Sequence, residues 1–100
     1  MNSTIHGTHD QQVWLDEMHE QLTGMRNLTE RVLTRIAKSS ERESAQSDRA
    51  RYHYEEASDL IDHGIEITHQ LTRQWNSRKA DQVRESLAAA IVHTTRGSAS

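Results

Sequence analysis

The residues best suited to chemistry in this 100-residue chain are its seven histidines and the carboxylates spaced around them. Glu66 and His69 form an E-x-x-H step. Four-helix di-iron carboxylate proteins use that spacing to aim two ligands from one helix at one metal. Asp59 with His63, and Asp62 with Glu66, add carboxylate and imidazole groups at helical spacing. A ferritin-like metal-binding half-bundle, completed by dimerisation, is therefore one function to weigh. Ligands of that kind must point into a bundle core, however. At 100° per residue Glu66 lies about 170° from the apolar stripe of its own segment. Glu30, in the preceding segment, is also well off its stripe. The pattern is that of a solvated acidic face, and neither a metal nor a cofactor is expected.

The remaining candidates have equally plain accounts. His53 falls at a half-buried phase, where a histidine is expected to be packed or hydrogen-bonded; within an interface it would make association pH-dependent. His6 and His9 lie in a polar N-terminal stretch. Tyr52, His53 and Tyr54 sit beside Arg49 and Arg51, and aromatics among bases can stack on nucleic acid. The series Arg31, Arg35, Lys38, Arg42 adds to that second alternative, a small nucleic-acid-binding regulator. Glu55 and Glu56 follow at once, though, and the net charge is −3, where a general nucleic-acid binder carries a basic excess. The basic series suits a helix C-terminus instead. Nucleic acid is not an expected partner. Nucleophilic catalysis has no support: the chain lacks cysteine, a glycine-rich phosphate loop, G-x-S-x-G and H-E-x-x-H. No catalytic residue is expected and the chain is read as a non-enzyme.

The elements that would carry these residues are helices. There is no proline, so long uninterrupted helices are permitted. Leu15, Met18, Leu22, Met25, Thr29, Val32 and Ile36 alternate steps of three and four, a two-position heptad stripe with one polar member. Trp14, Leu28 and Leu33 widen it, and a first helix is expected over about 10–38. Ala57, Ile61, Gly64, Thr68, Leu71 and Trp75 repeat the logic in a second helix over about 48–75. Ala80, Val83, Leu87, Ala90 and Thr94, with Ile91 beside them, form a third stripe. It is out of phase with the second by roughly 120°, so one straight helix could not bury both. Asn76 and Ser77, both good caps, mark the break, and a third helix is expected over about 78–95. Residues 1–9 read as a flexible tail with Thr8 or Asp10 as N-cap, and 96–100 as a frayed end stopped by Gly97. Ser40 with Glu43 matches a capping box, and Ser47 and Asp48 are later starts for the second helix.

Charge order gives the topology. Asp10, Asp16, Glu17 and Glu20 are followed by Arg26, Arg31, Arg35, Lys38 and Arg42; Glu55, Glu56, Asp59, Asp62 and Glu66 by Arg73, Arg78, Lys79 and Arg84. Folding the chain back near residue 46 sets acid against base along its length. The expected fold is all-α: a long antiparallel helical hairpin plus a shorter C-terminal helix. Apolar residues make up only 33% of the chain, with no Phe, so oligomerisation, most simply as a homodimer, is expected to complete the bundle. Trp14 and Trp75 should meet at the open end of the hairpin, as core or as a binding anchor. Gly64, inside the second stripe, predicts a close helix approach or a large facing side chain; Gly24, off the first stripe, has no account in the sequence.

The expected function is a protein–protein interaction module: an adaptor, a chaperone or an inhibitor that occupies a partner surface. The expected interface residues are Trp14, Leu15, Met18, Leu22, Met25, Val32, Ile61, Leu71, Trp75, Val83, Leu87 and Ile91, the last three on the partner-facing third helix. No apolar run is long enough to span a bilayer and no N-terminal apolar core is present. With no cysteine to oxidise, a cytoplasmic location is expected.

Overall fold

A computed structural model describes residues 7–38 and 45–99. Three helices account for all of them except Gln74, Trp75 and Asn76: α1 (Gly7–Lys38), α2 (Ala45–Arg73) and α3 (Ser77–Ala99). The fold is all-α, with no strand among the described residues.

α1 and α2 run antiparallel. Their register is set by three contacts that climb the pair: Trp14 on Trp75, His19 on His69, and Leu22 over Gly64. A β-carbon at Gly64 would stand 3.2 Å from Leu22 Cδ2, so the glycine makes room for a large side chain from α1, as its place in the stripe predicts. α3 then returns along α2 in the opposite sense. Asn76 begins it as expected: its Oδ1 accepts the amide N–H of Lys79 at 3.0 Å and its carbonyl accepts that of Ala80 at 3.0 Å. Lys79 Nζ donates to Gln70 Oε1 across the connector at 2.9 Å.

α2 is the middle helix. α1 and α3 both pack along it and scarcely touch each other. The Cα envelope, 52 × 23 × 15 Å, fits three helices laid side by side better than a closed bundle. The core lies where α2 is covered from both flanks. Ala57, Ile61, Ile65, Ile67 and Leu71 meet Leu15 and Leu22 from α1 and Ala80, Val83, Leu87 and Ala90 from α3. The stripes expected on α2 and α3 are thus the buried ones.

Four boundaries differ from the sequence reading. α2 begins at Ala45 rather than near 48. α1 begins at Gly7 rather than near 10, with Gly7 at φ +78° and Asp10 in the first turn, where a carboxylate favours the helix dipole. α2 ends at Arg73, leaving Trp75 in the connector. α3 runs through Gly97 to Ala99 instead of stopping. Gly97 is buried against α2: a β-carbon there would lie 2.7 Å from Tyr54 Cε2. Its lack of a side chain makes room for the Tyr54 ring, and one residue further on Tyr54 Oη and Ser98 Oγ share a hydrogen bond of 2.7 Å. Ser47 and Asp48 fall in the first turn of α2, whereas Ser40 and Glu43 lie outside the described residues.

Candidate functional site

The histidines do not converge. Among the described residues no group of three or more His, Asp or Glu side chains is placed to hold a metal ion. Glu66, His63 and Glu30 are exposed, on the outer faces where their phase puts them. The His69 ring lies against His19 of α1, centroids 5.9 Å apart and tilted by 32°, at the edge of an open groove of about 680 Å³ that Leu15, Asp16, Thr23 and Thr72 also line. His53 is half-buried and meets His93 of α3, Nδ1 to Nδ1 at 3.0 Å. One ring must carry its proton on Nδ1 and the other must not, so this is an interhelical hydrogen bond. Sequence phase indicated burial of His53; its partner, forty residues away, required the fold.

The aromatic-basic cluster is divided. Tyr54 is buried against Gly97, Tyr52 stays exposed with its ring edge-on to His53, and Arg51 pairs with Asp48 of its own helix at 2.6 Å.

Apolar surface is the remaining candidate: Val13 and Leu28 are exposed on α1, Tyr52 on α2, and Ile91 and Val92 on α3. Of the twelve residues expected to make an interface, Leu15, Leu22, Ile61, Leu71, Val83 and Leu87 are buried between helices of the same chain. Trp14 and Trp75 pack edge to face, centroids 5.4 Å apart at 86°, and both keep some exposure. Met18, Met25 and Val32 are only half-buried, and Ile91 is 48% exposed. The stripe on α1 has therefore split. Leu15, Leu22 and Thr29 are buried, whereas Met18, Met25 and Val32 are only half-covered, Met18 and Met25 packing at the edge of the core.

The half-covered members belong to a second stripe. Trp14, Met18, Gln21, Met25, Leu28 and Val32 follow steps of four, three, four, three and four along α1. None of the six is buried, and Leu28 is 47% exposed. At 100° per residue they fall within about 40° of one line, some 80° around the helix from the buried one. A helix with two adjacent apolar lines is built to pack on two neighbours. In this chain α1 has one, because α3 lies beyond α2. The signal was legible in the sequence: reading Leu28 with Trp14 and Met25, rather than as a widening of the first stripe, gives the second.

No family model matches this chain, and no curated protein or solved structure matches it significantly.

Proposed function

We propose that the protein is a non-enzymatic interaction module that works by offering the second stripe of α1 to another amphipathic helix. The observation that carries this is the half-exposed line Trp14–Met18–Gln21–Met25–Leu28–Val32, held rigidly on a helix whose other line is anchored in the core. An apolar line at heptad spacing fits a helix of the same kind better than an extended peptide, because knobs at steps of three and four need holes at the same spacing. Methionines supply two of the six positions and adapt to a facing surface at little cost. An adaptor, a chaperone or an inhibitor would all act in this way. The cysteine-free composition suits a reducing compartment, and no described helix is long and apolar enough to cross a membrane. A cytoplasmic location is part of the same proposal.

A photo-reactive amino acid at position 28 tests the reading in the native host. A discrete protein adduct is expected at 28 and not at Val92, which is equally exposed, at 46%, on α3. The same labelling at both positions, or none at either, would remove the stripe as a docking face.

A further inference from the structure

We infer that the helix which docks on the second stripe is α1 of another copy of this chain, running antiparallel and crossing at Gly24. This rests on the stripe being a docking face and adds what occupies it.

The heptad frame of the stripe assigns a role to every residue around it. Trp14, Gln21 and Leu28 take one core position; Met18, Met25 and Val32 take the other. The flank next to the first set, one residue on, is Leu15, Leu22, Thr29 and Ile36, which is the side turned to α2. The opposite flank, one residue before the second set, is Asp10, Glu17, Gly24, Arg31 and Lys38, seven residues apart throughout and all exposed. Along this free flank the charge runs negative, negative, none, positive, positive.

That order reads as its own complement when reversed. In an antiparallel helix pair, flanking positions of the same kind face each other, whereas in a parallel pair they lie on opposite sides. Two antiparallel copies of α1 crossing at Gly24 set Glu17 against the other copy's position 31 and Asp10 against its position 38, each contact occurring twice by symmetry. The same register gives core layers of Trp14 with Val32, Met18 with Leu28, and Gln21 with Met25. A single choice of centre satisfies both core and flank. In a parallel pair this flank would instead face Leu15, Leu22, Thr29 and Ile36, the side already turned to α2, and its charges would go unpaired.

Gly24 is the independent observation. It lies in the interior of a 32-residue helix, has no positive φ, and a β-carbon there would meet nothing within 4 Å. Nothing in its own chain uses the glycine. At the two-fold crossing of an antiparallel pair it lets the two backbones approach closely, whereas Gly64 and Gly97 make room for the side chains of Leu22 and Tyr54 inside the chain. The charges of α1 are also free to serve: among the described residues none of them is in an ion pair.

Light scattering and sedimentation of the purified chain, 11.5 kDa as a monomer, test the occupant. A species of twice that mass is expected at high micromolar concentration, and Leu28→Asp should dissociate it without loss of helicity. Orientation is read by charge. Glu17→Lys should weaken association about three- to tenfold, since two like-charged contacts arise at once. The double exchange Glu17→Lys with Arg31→Glu should restore it, because the reversed series is still self-complementary. As a second readout, Glu17→Cys mixed with Arg31→Cys should form a mixed disulfide in this cysteine-free chain, and Glu17→Cys alone should not. A monomer at high micromolar concentration overturns the second copy as occupant. Self-linking of Glu17→Cys, or a double exchange that fails to restore a dimer, overturns the antiparallel crossing. A monomer whose position 28 labels a different protein in the host separates this failure from a failure of the docking face itself.

Discussion

The ring of Tyr54 occupies the space that a side chain on Gly97 would need: Cε2 and Cδ2 stand 2.7 and 2.9 Å from a β-carbon built there, and His53 Cβ 3.3 Å. Gly97→Ala should therefore destabilise the fold. Overpacking of this kind costs about 1–3 kcal/mol, offset by up to about 1 kcal/mol from better helix propensity. The net loss should appear in urea unfolding, and it should shrink when Tyr54→Ala is added. Additive losses in the double variant would show that the two residues do not compete for the same space.

Thr29 should respond in the opposite direction. It is fully buried against α2 and its Oγ1 finds no hydrogen-bond partner. Thr68, also buried, differs because its hydroxyl donates to the Ile65 carbonyl at 2.6 Å. Thr29→Val removes an unpaired hydroxyl at nearly constant shape and should raise the unfolding free energy by about 1 kcal/mol. Thr68→Val, which discards a satisfied bond, should gain less. A larger gain at position 68 than at 29 would contradict the assignment.

Asn76 holds the junction between α2 and α3 through its bond to the Lys79 amide. Asn76→Ala should cost about 0.5–2 kcal/mol, and Asn76→Asp or Asn76→Ser should recover most of it. Thermal melts followed by circular dichroism would resolve the series.

Gly24→Ala should separate the fold from the assembly. The open space around Gly24 allows alanine, whose helix propensity is better by up to about 1 kcal/mol, so the isolated chain should become more stable in dilute denaturant titrations. The added methyl groups would keep two α1 helices apart at their crossing, so self-association should weaken. An alanine variant that associates as tightly as the parent would mean that no backbone passes close to position 24.

The parts of the fold legible in the sequence are those set by periodicity within one helix. The change of phase between Trp75 and Ala80 announced a separate α3, and Asn76 caps it. The stripe through Ile61, Gly64, Thr68 and Leu71 marked the buried face of α2, because a middle helix is covered on both sides of its stripe. α1 was harder to read. Its seven-residue stripe implied uniform burial, yet Met18, Met25 and Val32 stay half-exposed, since the placing of α3 across α2 leaves them covered from one side only. Spacing along one helix does not say how many neighbours the helix has. Gly97 looked like a stop signal because its role depends on Tyr54, 43 positions earlier, and the meeting of His53 with His93 depends on the same antiparallel return of α3. The charge blocks indicated the antiparallel course of α1 and α2, but the ion pairs Arg51–Asp48 and Arg84–Asp81 each join residues of one helix.

The position of α2 between its two neighbours also orders the way the molecule comes apart. In the dissociated single chain, releasing α1 breaks one interface, whereas releasing α2 breaks two. Amide hydrogens of α1 should thus exchange with solvent deuterium through a partial opening, at a lower free energy than those in the middle of α2 around Ile61 and Thr68, whose exchange waits for global unfolding. The α2–α3 pair is the last part to open and, on refolding, the surface onto which α1 is laid.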